Sequence, residues 1–327
     1  TDTLSGSVPK LTVKPSVSIK LDKSAFDDAF HSSLGNLKSD DMPHTEADFA
    51  DAEKIPGPKG SNPAQWYMMP DGSEVILKKT PDADHAYNEV AVGQTYKAAG
   101  ITVPDTSVVK MNDGSYAVAS KKVNGLYSWD SAGPITKQVN QADARQGFGV
   151  DALTSNYDAL GLVNDNAFTN TFGKVVRIDN GGGGFYRAQG APKPGFAVGE
   201  WDKHPEKADY NTLRDPSISQ QGAEFYAAPK GTHDDEMAAS LKEAANLNLV
   251  DVSDRMKEAG IPIAFRDKYL VVLKDRQDHL KVMSALQKPT NPFTDPVKVT
   301  PSVSKKVKNE AFDLEEAAGI SLAYGNH

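Results

Sequence analysis

The chain has 327 residues, of which 24% are charged and 39% hydrophobic, with a formal net charge of -8 and no cysteine. That length allows one large domain or two small ones with a substantial core. The balance gives no reason to expect a general electrostatic grip on nucleic acid or an anionic membrane, local basic patches aside, and the lack of thiols excludes disulfides, thiolate zinc sites and a cysteine nucleophile. No apolar run approaches the roughly 18 residues that span a bilayer. No basic-then-apolar leader is visible at the start, and the chain opens on Thr1, as a processed chain or an excerpt of a longer one would.

Residues 1 to about 55 are rich in Ser, Asp, Lys and Pro and read as a flexible tail, with a helix candidate only around Ala25–Leu34. From about Pro289 the other end has the same character, since Pro289, Pro292, Pro296 and Pro301 prevent long regular elements. The two tails share a pattern. Pro15-Ser16-Val17-Ser18-Ile19-Lys20, continuing to Ala25-Phe26-Asp27, aligns without a gap to Pro301-Ser302-Val303-Ser304-Lys305-Lys306, continuing to Ala311-Phe312-Asp313. This is convergence of two low-complexity segments or a duplicated docking motif, Pro15–Asp27 and Pro301–Asp313. In the second case two weak copies would gain avidity for a protein substrate or assembly partner.

Between the tails the pattern changes. Gly57-Pro58-Lys59-Gly60-Ser61-Asn62-Pro63 is a small-residue turn, and the backbone N–H groups of Gly60, Ser61 and Asn62 could approach phosphate oxygens. It is not a P-loop, because Gly-Lys-Ser/Thr followed by a helix is missing. Gln65–Met69 and Glu74–Lys78 form a hairpin candidate around Pro70-Asp71-Gly72. Ala83–Ala99 has helical spacing with Gly100 as its cap, and strands are expected at Thr106–Met111 and Tyr116–Lys121. Ala142–Leu160 is helical again, Lys174–Ile178 is a strand, and Asp235–Leu247, Val252–Ala259 and Phe265–Leu286 are helices. A mixed lobe followed by a mostly helical one is a two-lobed α+β architecture.

Phosphoryl transfer from ATP requires positioning and charge stabilisation rather than covalent chemistry, so its parts can be looked for in chain order. Lys78 ends the strand EVILK and Glu89 lies eleven residues later on the expected helix, a pairing able to hold phosphates. Lys79 is the neighbouring alternative, but it would point to the opposite face of the strand. Further on, Ser155-Asn156-Tyr157-Asp158 closes a helix, Asn164-Asp165-Asn166 lies in a polar loop, and KVVRI runs into Asp179 and then Gly181 to Gly184. A carboxylate at a strand end before a glycine run suits a divalent metal, with the glycines leaving room for metal and phosphates. Asp and Asn before Gly also make tight turns with no ligand. Asp158, Asn166 and Asp179 together, downstream of Lys78 and Glu89, favour the functional reading.

GSNPAQWY, the LKK strand, Asn88-Glu89, AAGITVP (Ala98–Pro104), SNYDALGLVNDN (Ser155–Asn166) and VVRIDNGGGGFYRAQG (Val175–Gly190) resemble a group of atypical kinase-like domains of phage and bacterial proteins. More distantly, they are similar to HipA, the phosphatidylinositol kinases and actin-fragmin kinase. The resemblance spans about Gly57 to Gln287. It implies a two-lobed protein-kinase-like fold over 56–288, with an N-lobe of about 56–128 and a C-lobe of about 129–288, flanked by tails 1–55 and 289–327. It also implies that Lys78 binds the ATP phosphates, Glu89 orients Lys78, Asp158 is the catalytic aspartate, and Asn166 and Asp179 hold Mg²⁺. The sequence departs from the family pattern in three places. Asp158 and Asn166 are eight residues apart, so Asn164 or Asp165 could share the metal; Tyr157 stands where Trp is expected; and Ala64 stands where such loops often carry Gly.

Arg187 and Gln189 follow the metal Asp and suit either contact with substrate or a salt bridge. His233–Glu236 reads as a helix start with Thr232 as N-cap rather than a metal cluster. The seven histidines are scattered and H-E-x-x-H is absent, against a zinc hydrolase. Leu270, Leu273, Leu280 and Met283 are expected in the core, and Trp66, Trp129 and Trp201 are expected to pack. The leading expectation is a Mg-ATP-dependent phosphotransferase acting on a protein hydroxyl, a lipid or a small molecule. The alternatives are a pseudokinase or nucleotide-binding module, structural in a virion for instance, and a protein nucleotidyltransferase.

Overall fold

The computed structural model describes residues 42–57, 64–128, 134–161, 166–170, 174–226 and 233–286. Strands β1 (Glu53–Ile55), β2 (Ala64–Met68), β3 (Glu74–Lys79), β4 (Thr106–Lys110) and β5 (Tyr116–Lys121) form an antiparallel sheet in the order β1-β2-β3-β5-β4. Its two hairpins close by one device: Asp71 accepts from the Ser73 backbone at 2.8 Å, and Asp113 accepts from the Ser115 backbone at 2.9 Å. Each Asp thereby satisfies the donor that the reversal frees.

Register decides which lysine faces inward. Lys78 pairs with Val118 and Val118 with Val108, so this row shares a face with the main core; Lys79 pairs with Ala117 and Ala117 with Val109 on the other face. Helix α1 (Ala83–Ala98) begins at Asp82, whose side chain accepts from His85 N, and packs on the Lys78 face. It is buried on most of its circumference, at Ala86, Asn88, Val90, Ala91, Val92, Gly93, Gln94, Thr95 and Tyr96. A helix enclosed in this way mixes apolar and polar residues without a clean stripe, because every side has a neighbour.

The opposite sheet face is covered by a segment expected to belong to the flexible tail. Met42 and Phe49 join Val75, Leu77, Val109 and Met111 in a second hydrophobic cluster, Thr45 bridges Lys110, and β1 pairs with β2. The tail assignment for residues 1–55 is therefore corrected from Met42 onward. Without this segment the apolar outer face of β3 and β4 would meet water. The candidate helix Ala25–Leu34 and both copies of the repeated motif lie outside the described residues.

In the second half come α2 (Pro134–Gln146), α3 (Phe148–Leu153), and a small antiparallel sheet of β6 (Leu126–Ser128), β7 (Ala167–Asn170) and β8 (Val175–Arg177). After these lie α4 (Glu200–Lys203), α5 (Asp209–Thr212), α6 (Gln220–Tyr226), α7 (Asp234–Ala245), α8 (Leu249–Glu258) and α9 (Ile263–Leu286). Ala142–Leu160 is not one helix. The chain breaks at Gly147, where a Cβ would collide with the Arg177 guanidinium, and it turns out of α3 at Ser155, which has φ 53°. The apolar face of α9 packs as expected, with Leu273, Leu280 and Met283 buried and Leu270 half-buried. Trp201 is buried and donates to Asp209 at 2.8 Å, Trp66 is half-buried, and Trp129 lies outside the described residues.

A buried polar network fixes the site elements. Arg177 and Asp151, with side chains 1% and 0% exposed, pair at 3.0 Å. Tyr96 of α1 donates to Asp151 at 2.6 Å, Tyr226 donates to it at 2.5 Å, and Asn156 donates to the Tyr96 hydroxyl at 3.1 Å. Burial opposes the Arg177 charge, but Asp151 more than offsets this and holds the guanidinium's pKa above its usual value. Burial, reinforced by Asp151, pushes the Tyr96 hydroxyl's pKa well above the phenolic range, so Tyr96 stays a donor.

Asp151→Asn would leave Arg177 as a buried, uncompensated charge and is expected to cost about 3–5 kcal/mol of stability. The check is the urea midpoint at constant m-value; a loss below about 1 kcal/mol would mean that Arg177 is satisfied without its partner.

Candidate functional site

The site lies where β3, α1 and the turn after β8 meet. Lys78 reaches from β3 and donates to Glu89 Oε1 of α1 at 2.7 Å and to Asp179 Oδ1 at 2.9 Å. The three side chains are 19%, 13% and 43% exposed, so Asp179 is the member open to solvent. Burial works against the lysine's charge, but the two carboxylates outweigh it and raise its pKa above the usual value. Burial also raises the Glu89 pKa; Lys78 pulls it down, and the like charge of Asp179 pushes it up. One cation thus serves two carboxylates, leaving an excess of negative charge that a divalent cation would compensate. Lys79 points away, exposed, 3.8 Å from Asp113, on the sheet face opposite Glu89 and Asp179.

Asp179 has left-handed backbone geometry, φ 52° and ψ 69°, and caps a short turn at Asn180–Gly182. Asp tolerates this region better than most residues, and such conformations gather at functional sites. The glycine run does more than leave room for a ligand. A Cβ on Gly181 would lie 3.2 Å from Glu89 Oε2, one on Gly182 would lie 2.7 Å from Asp158 Cβ, and one on Gly183 would lie 2.8 Å from Val92. The glycines are needed because α1 and the Asp158 loop press against both sides of the turn. Asn88, quoted above only beside Glu89, locks the turn: it donates to Gly183 O at 2.9 Å and accepts from Phe185 N at 2.8 Å.

Asn166 closes the eight-residue interval to Asp158 by donating to its Oδ2 and its backbone carbonyl, both at 2.9 Å. Its own carbonyl accepts from Ile178 N at 2.9 Å, one residue before Asp179. The structure therefore brings Lys78, Glu89 and Asp179 into direct contact, and joins Asp158 to Asn166, with Asp158 against Gly182 of the glycine turn. Gly60, Ser61, Asn62, Asn164 and Asp165 lie outside the described residues. Among the described residues no three His, Asp or Glu side chains form a ready metal cage. Mg²⁺ does not require one, because it takes one or two protein ligands and completes its shell with water and phosphate. The Asp179 carboxylate and the Asn166 side-chain oxygen fit that donor set.

Other residues singled out in the sequence lie as follows. Arg187 and Gln189 are exposed in a tight turn closed by Arg187 N to Ala191 O at 2.8 Å. Tyr157 shares a 2.5 Å hydrogen bond with Thr212. In the His233–Glu236 run Asp234 pairs with Arg214 and Glu236 with Arg145, each at 2.5 Å, as a helix start rather than a metal group. Helix α7 has His233 at its N-cap position, and Thr232 lies outside the described residues. A cavity of about 450 Å³ lined by Met42, Pro43, Met69, Val75 and Lys121 shares none of the site residues.

Lys193 gave no signal in the sequence, yet its ammonium donates to Ser155 O at 2.7 Å and Gly182 O at 2.6 Å. Burial pushes its pKa down to about 7; Asp209 pulls the other way, Arg276 and Arg187 add to the fall, and Asp158 opposes it.

No protein-family model matches the chain, and no curated protein sequence matches it. Among solved structures it is similar to the crystal structure of a Helicobacter pylori proinflammatory kinase, CtkA, with a TM-score of 0.50 and 14% identity, covering 73% of this chain and 96% of that one. At that identity the likeness is one of fold, and it carries the kinase-like part of the resemblance seen in the sequence. The chain has a mixed α+β, kinase-like fold.

Proposed function

We propose that the chain is a Mg-ATP-dependent phosphotransferase whose acceptor is a protein hydroxyl. The observation that carries this reading is Lys78 Nζ, held at 2.7 Å by Glu89 and at 2.9 Å by Asp179. A strand lysine, a helix glutamate and an aspartate opening a glycine turn, on a kinase-like fold, are the parts that phosphoryl transfer uses.

In this reading Lys78 meets the nucleotide phosphates, and Glu89 keeps its ammonium on the cleft side of β3. Asp179 and Asn166 hold Mg²⁺, which when bound neutralises charge on the phosphate oxygens. Asp158 accepts the proton of the acceptor hydroxyl as that oxygen bonds to the γ-phosphorus. The bond from the γ-phosphorus to the β,γ-bridging oxygen breaks, and ADP leaves with its electron pair. The hydrogen bond from Asn166 to Asp158 Oδ2 orients the carboxylate for that proton transfer.

Two outcomes test this. With γ-labelled ATP and Mg²⁺ the chain is expected to transfer label to itself or to an added protein, and with α-labelled ATP it is expected to transfer none. Transfer of α label would indicate nucleotidyl transfer instead, and bound ATP with neither label transferred would indicate a nucleotide-binding module.

Asp179→Ala and Asp158→Asn are each expected to lower turnover by about 10²–10³-fold. Lys79→Ala, altering an exposed residue on the other face of the same strand, is expected to stay within about twofold, because its surface ion pair is worth little. Asp158→Asn should retain ATP binding and Asp179→Ala should weaken it in Mg²⁺, as calorimetry would read; wild-type turnover in either variant would contradict the assignment.

A further inference from the structure

The proposed reaction depends on two loops, one ending in Asp158 and one beginning at Asp179, and the Lys193 side chain joins them. Ser155 lies three residues before Asp158, and Gly182 three residues after Asp179. Lys193 Nζ donates to the carbonyls of both, at 2.7 Å and 2.6 Å. Gly182 lies against Asp158 itself, since a Cβ there would stand 2.7 Å from Asp158 Cβ. Lys193 is itself fixed, because its backbone N–H donates to Phe185 O at 2.7 Å and its carbonyl accepts from Phe196 N at 3.1 Å.

We propose that Lys193 is a positioning residue for phosphoryl transfer, tying the Asp158 loop to the Asp179 turn and so setting the separation of proton acceptor and metal ligand. This rests on the phosphotransferase reading. The alternative, that Lys193 only supports the fold, sits poorly with its environment, since burial, the largest influence, pushes the amine's pKa down and Asp209 and Asp158 do not restore it. A depressed lysine pKa means the charge opposes folding at pH 7 and below, and that the opposition fades as pH rises from about 7 toward the ordinary value near 10.4. Both hydrogen bonds survive loss of that proton, because a neutral amine still has two N–H donors. Other groups serve stability at this loop: Arg276 donates to Ser155 Oγ at 2.8 Å and to Leu153 O at 3.0 Å, and Gly184 N donates to Thr154 O at 2.6 Å.

The test compares wild type with Lys193→Met and Lys193→Arg in steady-state ATP turnover and in amide hydrogen exchange of residues 155–158 and 181–184. Lys193→Met is expected to lower kcat about 100-fold, the effect of misplacing reacting groups by about 1 Å. KM for ATP should stay within about threefold, as for an interaction absent from nucleotide binding. Exchange should rise in both loops together while α1 and α9 keep their protection. Lys193→Arg, whose guanidinium can span two carbonyls, should recover about tenfold of the lost kcat. If Lys193→Met does not fold, Lys193→Gln, which keeps one amide donor group, is read in its place. An active wild type with an equally active Met or Gln variant, or a loss spread over KM and the whole exchange map that Arg does not rescue, overturns the positioning role alone. A wild type that turns over no ATP overturns the phosphotransferase reading and this role with it.

Discussion

A half-buried ammonium cannot stay charged without compensation, and Lys78 obtains it from two carboxylates on different elements. Its position therefore sets a condition on the whole molecule: β3 must present this residue to the core side, α1 must turn Glu89 toward it, and β8 must end so that Asp179 reaches it. Each condition is met by packing rather than by the ion pairs themselves. The net gain from such partly buried pairs is small, because desolvation offsets most of their attraction, and it is too little to organise three elements.

The packing works through α1. Because the helix is enclosed on most sides, a rotation that withdrew Glu89 would also expose Val90, Ala91 and Tyr96 or bury a charge. Helices α8 and α9 hold it from behind: α1 packs against both, and the Phe265 and Tyr87 rings meet at 5.5 Å. Tyr96 then carries the constraint through Asp151 to Arg177, two residues before Asp179. The helix that places the glutamate and the strand that places the aspartate share one buried polar network.

How much of this was legible in the sequence depended on the kind of contact. Lys78, Glu89 and Asp179 could be read because strand, helix and strand end each leave a local pattern, and the chemistry needs them in that order. Asp158 and Asn166 were legible as polar residues in a loop, though their mutual hydrogen bond was not. Lys193 left no trace, since its partners are backbone carbonyls that every residue possesses. Met42–Ile55 read as a tail because its cover of the sheet rests on little more than Met42 and Phe49. β6 and β7 are too short to show alternation, and the break at Gly147 was hidden because its cause, Arg177, lies thirty residues away in sequence.

The central claim is that the Lys78 cluster is built to receive the phosphates of a metal-bound nucleotide. A crystal structure of the chain with Mg²⁺ and a non-hydrolysable ATP analogue tests it most directly. The account predicts Lys78 Nζ in contact with phosphate oxygens and still paired with Glu89, with the metal bridging phosphate to Asp179 and Asn166 and Asp158 facing the γ-phosphoryl group. A nucleotide seated elsewhere, or one whose phosphates touch neither Lys78 nor a metal held by Asp179, would contradict it.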